Sequence, residues 1–485
     1  MNKVFQQNRI VTIVMSLVVL GVVASSTSMA GNDRVSGRTV GMARTFVASS
    51  RGLDAMGLNP ANLALDDRGS TVTFQIAPLG LKVGSDFINY QIYQDYFTGV
   101  DSIQPDGSTI RVPKQLSDAD KQSILALFPG GIARTQANFD ISEFGLSVES
   151  SVLGGFGFEV SDRVALNLDI PEGYVQFILN GLPPNGASYS LDNTAVTASW
   201  LREYNFSYAR LLPFDLTIFN NISVGVGVKV IQGFGYFGTD HYKGVLENTV
   251  THDPVSGSID NSQLHAAVDF LQYRASFPDS AIANNLFSPL GKGTGFDVGV
   301  SSSVMFPALR FGVSVTDIGS INWSKDTKAI TGHADMTVTN VTDQSVQDSV
   351  KNAFKGQQFD TTGFTTTLPT AMHIGASLQV DEMPFITSFP GRLLIAADLD
   401  FGFNNEPGNA TTPRFALGME YRPVMAFPIR LGISTGGRER FAFAGGFGIN
   451  TPVWDLDLAT ESLSLLTNPN NFRYASVTLG MKFRI

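Results

Sequence analysis

The stretch "YASVTLGMKFRI" (474–485) sorts its side chains into two sets by position alone. Ala475, Val477, Leu479, Met481, Phe483 and Ile485 fall on one side; Tyr474, Ser476, Thr478, Gly480, Lys482 and Arg484 fall on the other. Successive side chains of a β-strand point to opposite faces, so this pattern reads as a strand with one apolar and one mostly polar face. The same two-residue period recurs along the chain. Ile395, Ala397, Leu399, Phe401 and Phe403 alternate with Ala396, Asp398, Asp400 and Gly402, and Val224, Val226, Val228 and Val230 with Gly225, Gly227 and Lys229. Further examples lie at 72–76, 204–208, 264–270, 311–315, 374–380, 415–421, 429–433 and 454–458. A chain patterned in this way folds as an all-β protein.

A one-sided apolar strand serves either a soluble sandwich or a membrane barrel, which differ in where that face points. Three features favour the barrel. Residues 1–30 have a basic start (Lys3, Arg9), an apolar core (Ile10–Ala24) and a small-x-small end at Ser28-Met29-Ala30, the layout of a secretory signal peptide cleaved after Ala30. The 455 residues beyond Ala30 are long for a single sandwich, and their longest apolar runs, Ile124–Phe128 and Leu393–Ala397, leave no helix able to cross a bilayer. The apolar face of the terminal strand also continues to Ile485, which a soluble protein gains little by exposing. Glycine is abundant, with 48 residues, and Gly445, Gly446 and Gly448 are expected opposite the apolar face. A net charge of −10 argues against nucleic acid as a partner, and the lack of cysteine excludes disulfides and thiolate metal sites.

Helices are expected only in connections. Residues 116–131 start at Ser117, with Asp120 placed for a capping box, and stop at Pro129; 171–181 run from Pro171 to Gly181; 342–356 make a third. Catalytic signals are poor. "GFGYFG" (233–238) has no helix pattern after it, and reads as a glycine-rich strand end or loop rather than a nucleotide motif. In "GISTG" (432–436), Ser434 falls at a strand end rather than on a strand-to-helix elbow. The five histidines (His241, His252, His265, His333 and His373) are scattered and read as loop or lumen residues. Asp398/Asp400 and Asp455/Asp457 each share the inner side of a strand and read as a wet lumen wall. No catalytic residue, cofactor or metal is expected.

Two segments carry a resemblance. Thr478, Gly480, Phe483 and Ile485 match the assembly signal of bacterial outer-membrane barrels, with Ile485 departing from the usual terminal aromatic. "VGMARTFVASSRGLDAMGLNPANLAL" (40–65) resembles the N-terminus of FadL-like and PorV-like outer-membrane barrels, in which a small-residue stretch leads to Asn-Pro-Ala; Asn59, Pro60 and Ala61 stand at those places. The residues agree locally, since Asn59 can cap a helix whose first position is Pro60. The resemblance implies a signal peptide at 1–30, a helical hatch at 31–68 inside the lumen, and a transmembrane antiparallel barrel of about 14 strands at 69–485. It further implies a passive outer-membrane channel for small hydrophobic compounds such as long-chain fatty acids, with outer-membrane lipid, the barrel assembly machinery and a small hydrophobic ligand as partners. The alternatives are a PorV-like barrel that binds exported proteins during secretion, or a general porin.

Overall fold

The computed structural model describes residues 36–65, 71–112, 114–252, 259–277, 288–338, 352, 354–470 and 472–485. The signal-peptide reading at 1–30, and most of the helix expected at 342–356, lie outside the described residues.

Fourteen antiparallel strands form one closed barrel. In chain order they are β1 (Val72–Ile76, resuming at Leu79–Ser85), β2 (Ile132–Ser150), β3 (Gly154–Pro171), β4 (Ala195–Leu211) and β5 (Phe219–His252). Then come β6 (Ile259–Ala275, resuming at Gly291–Val304), β7 (Phe306–Trp323, resuming at Thr327–Val338) and β8 (Gln357–Asp360, Phe364–Thr367 and Ala371–Gln379). The last six are β9 (Arg392–Gly402), β10 (Arg414–Arg422), β11 (Ile429–Gly436), β12 (Arg440–Asn450), β13 (Trp454–Thr460) and β14 (Tyr474–Arg484). Each strand pairs with its neighbours in sequence. The ring closes between β14 and β1, with Phe483 opposite Phe74 and Val477 opposite Leu81. Closure leaves no sheet edge, which lipid would not tolerate.

Burial follows the alternation. Val226, Val228 and Val230 are 51%, 43% and 47% exposed, while Lys229 between them is wholly buried. An apolar face that points outward and a charged face that points inward is a barrel turned inside out relative to a soluble protein, and it fits a lipid surround. The expectation for glycine needs one correction: Gly446 and Gly448 point inward, but Gly445 shares the outer face with Phe443 and Phe447 by strand parity.

The two rims differ. One carries short turns such as 151–153, 424–428 and 451–453; the other carries long connections, and by the usual rule these are the periplasmic and extracellular rims. The long rim holds a capped helix at Asp118–Leu125, in which Ser117 and Asp120 complete the capping box, and a helix at Glu172–Asn180 that ends on Gly181 at φ 75°. On this side β5, β6 and β7 rise well past the length a membrane requires, pairing as a three-stranded extension that reaches His252 on β5 and Val338 on β7. "GFGYFG" lies inside β5, which runs unbroken for 34 residues, and not at a strand end or loop.

Candidate functional site

Residues 36–65 lie within the ring, in contact with strands on all sides of it. Their backbone is irregular: a short helix (Gly37–Gly41), a 3-10 turn (Gly52–Ala55) and a second 3-10 turn (Pro60–Ala64). Short, loosely wound turns leave many backbone groups without internal partners, and buried groups of that kind must find partners elsewhere. The wall supplies them. Asp398 on β9 accepts hydrogen bonds from the backbone N–H groups of Phe46 and Val47 at 2.5 and 2.9 Å. Ser377 on β8 donates to the Ala48 carbonyl at 3.1 Å, and Ser314 on β7 donates to the Leu58 carbonyl at 2.7 Å.

Asn59, Pro60 and Ala61 come together at the second of these turns. The Asn59 side-chain Oδ1 accepts from the Ala61 N–H at 3.2 Å, and Pro60 takes the first position, where a missing N–H costs nothing. The turn is 3-10 rather than α-helical. The Asn59 amide donates to the Val47 carbonyl at 2.7 Å and to Ser301 on β6 at 3.1 Å, so one side chain ties the segment to itself and to the wall. Asn62, which sequence reasoning did not single out, does as much: it donates to Val47 and Ser50 at 2.9 Å and accepts from Ser301 at 2.6 Å. Two inner-face glycines make room. A Cβ at Gly299 would meet the Asn59 side chain, and one at Gly225 would run into the backbone of Pro60 and Ala61.

Ion pairs complete the attachment. Arg44 reaches Glu461 at 2.8 Å, Arg38 reaches Glu420 on β10 at 3.1 Å, and Lys482 on β14 reaches Asp54 at 2.5 Å. Burial pushes the Asp54 carboxyl up, but the Lys482 ammonium and the Ser36 hydroxyl outweigh it and hold the group at about 2. Asp398 and Asp400 are therefore not a wet wall, whereas Asp455 and Asp457 do line a polar cavity. Asp398 holds the segment, Asp400 pairs with His373 at 2.7 Å and Arg414 at 3.1 Å, Asp457 pairs with Arg430 at 2.6 Å, and Asp455 pairs with Arg484. Three other histidines, His241, His265 and His333, stand beside carboxylates on the extracellular three-stranded extension rather than in loops or the lumen. Ser434 is buried on the inner face of β11, two residues before the strand ends at Gly436.

The space on either side of the segment differs in character. Toward the extracellular rim one side of the inner wall carries an apolar cluster, in which Ile231, Ile321, Leu368 and the fully buried Trp323 pack together, with Tyr236 5.4 Å from Trp323 between ring centroids. The space of about 210 Å³ beside Tyr236 is otherwise lined mostly by polar residues such as Asn167, Asp169, Glu406 and Arg438. The connection 403–413 folds inward here, and Asn167 on β3 donates to the carbonyls of Glu406 and Asn409. Toward the periplasmic rim lies a polar cavity of about 370 Å³, bounded by Arg38 and Asp54 above and by the feet of β7–β11, β13 and β14 around it. At the barrel seam, Thr478 and Gly480 point inward, while Phe483 and Ile485 point outward, and Phe483 stacks on Phe74 at 5.1 Å.

No curated protein matches the sequence. Among solved structures the chain is similar to the toluene transporter TbuX of Ralstonia pickettii, at 12% identity and TM-score 0.43 over 93% of this chain and 98% of that one. It is likewise similar to a FadL homologue of Pseudomonas aeruginosa, at 12% identity and TM-score 0.41 over 95% and 100%, and to the toluene transporter TodX of Pseudomonas putida, at 9% and 0.39 over 94% and 98%. Likeness this loose carries no substrate across. A family model spans residues 72–454, most of the barrel, and the chain belongs to that family, described as "Family of unknown function (DUF5723)".

Proposed function

We propose that the protein is a passive outer-membrane channel for small hydrophobic compounds, with residues 36–65 as a hatch that closes the lumen. The observation that carries this reading is the way the segment is held. It fills the lumen yet meets the wall chiefly through hydrogen bonds and ion pairs, with small apolar contacts such as Met42 against Leu394 and Ala396. Polar ties of this kind exchange with water at little net cost, so a segment held by them can yield without unfolding the barrel. The aromatic and aliphatic cluster on one side of the wall above the hatch offers an apolar surface to such a solute.

The wall is also irregular beside the hatch. β1 breaks at Ala77 and Pro78, with Ala77 at φ 51°, and the facing part of β2 has a bulge at Glu143. A general porin fits less well, because its lumen stays open to water.

Deleting residues 31–62 tests the proposal. The shortened protein should still insert but conduct ions in planar bilayers, while the intact protein stays nearly closed. Equal, low conductance from both would sink the hatch.

A further inference from the structure

The two rims differ in chemistry as well as in length. Six connections close the periplasmic rim: 151–153, 212–218, 305, 380–391, 423–428 and 451–453. Their only charged residues are Asp215, which accepts from the Asn221 N–H, and Asp381 and Glu382, which pair with Arg392. The first extracellular connection alone, 86–131, carries nine charged residues. Every periplasmic turn instead exposes a large apolar side chain: Val152, Leu216, Met305, Phe385, Val424 and Val453.

Two features say what covers these tips. The first is their backbone. Prolines at 213, 384, 390, 423, 428 and 452 remove N–H groups that would need water. Other groups bond within the turns: Leu216 and Phe219 exchange N–H···O bonds of 2.8 and 3.0 Å, Ile386 donates to the Met383 carbonyl at 3.0 Å, and Phe427 to that of Val424 at 3.1 Å. Turns satisfied in this way lose little on leaving water. The second is height. Strands β10, β11 and β13 hold only nine, eight and seven residues. At about 3.3 Å per residue and a tilt of about 40°, eight residues rise about 20 Å, short of an apolar band of about 25 Å. The turn above β11 carries Arg438 and Glu439 and cannot lend height; Val424, Met425 and Phe427 below it can. Arg210, exposed on the same face as Phe206 and just above the 212–218 turn, is placed to reach a lipid phosphate.

From this we infer that the periplasmic rim is a lipid-binding surface, its turn tips seated where the acyl chains of the inner leaflet meet their phospholipid headgroups. The inference rests on the closed barrel and its orientation, and not on the hatch opening, so it stands or falls apart from the channel reading.

The chain has no cysteine, so a single introduced thiol reports on one site. Val424→Cys and Leu216→Cys, each labelled with bimane, are reconstituted as the full chain in vesicles of phosphatidylethanolamine and phosphatidylglycerol. Asp106→Cys, on the exposed extracellular hairpin, serves as the water-facing reference. Lipid carrying a nitroxide on the acyl chain close to the headgroup should quench both turn labels at least threefold more than the reference. Iodide, equilibrated across the membrane, should quench them at least threefold less. Turn labels as open to iodide as the reference would overturn the inference and leave these tips for a protein partner. Val453→Cys and Met305→Cys replace either variant that lacks the heat-modifiable folded band.

Discussion

Neighbouring residues on one strand face opposite worlds, and substitutions should separate them. Leu399 points outward within the apolar belt, while Ala396 is buried on the inner side against Met42 of the hatch. Leu399→Arg should cost about 2–4 kcal/mol of barrel stability and lower the yield of inserted protein. Ala396→Arg should leave insertion intact and displace the hatch, read as raised bilayer conductance. Gly225→Val should behave like the latter, since its side chain would occupy the space of the Pro60–Ala61 backbone. Normal conductance in both inner-face variants would show that the hatch contacts are dispensable. At this scale the alternation was legible throughout, because lipid and lumen select opposite residue types at every second position. The partners of the inner charges were not. Asp398 and Glu420 bond to groups hundreds of residues away in the chain, and a two-residue period says nothing about what lies across a lumen.

Elements defined by local chemistry were readable, such as the capped helix at Asp118–Leu125, where Ser117 and Asp120 satisfy each other within four residues. The 34-residue β5 was not, because "GFGYFG" looks like an interruption. Its first glycine, Gly233, instead admits the Trp323 ring, which also lies against Gly291 of β6, and a register shift at Trp200 absorbs the irregularity. The inward-folded connection 403–413 was likewise invisible, and it carries a pH response. Burial raises the Glu406 carboxyl to about 7, against the smaller opposing effect of hydrogen bonds with Thr367 and Tyr236. A carboxyl raised in this way favours the folded-in position while protonated. That position should be strongest below the ordinary carboxylate range, weaken as pH rises from about 4.5 to about 7, and change little above. Hydrogen exchange across 403–413, corrected for intrinsic rates, should therefore speed up between pH 5 and pH 8, and Glu406→Gln should flatten the profile. The terminal strand makes a different demand. Deleting Phe483–Ile485 removes the stacked pair with Phe74 and part of the seam, so the heat-modifiable folded form should be lost and the protein degraded. Unchanged insertion would count against a role of these residues in barrel assembly.

At the scale of the whole molecule, the barrel follows from strand count and closure, and the position of residues 36–65 inside it from their place ahead of β1. Its attachment has a mechanical consequence. The ties to the wall succeed one another along the chain: Arg38 to Glu420, Arg44 to Glu461, Phe46 and Val47 to Asp398, Ala48 to Ser377, and Asn59 to Ser301. Tension applied from the Ser36 end loads them one after another, so the segment peels away at the force needed to break a single tie. Pressure across the lumen loads all of them together and must break them at once. The same segment is therefore weak against a pull along its own chain and strong against a push from either side of the membrane.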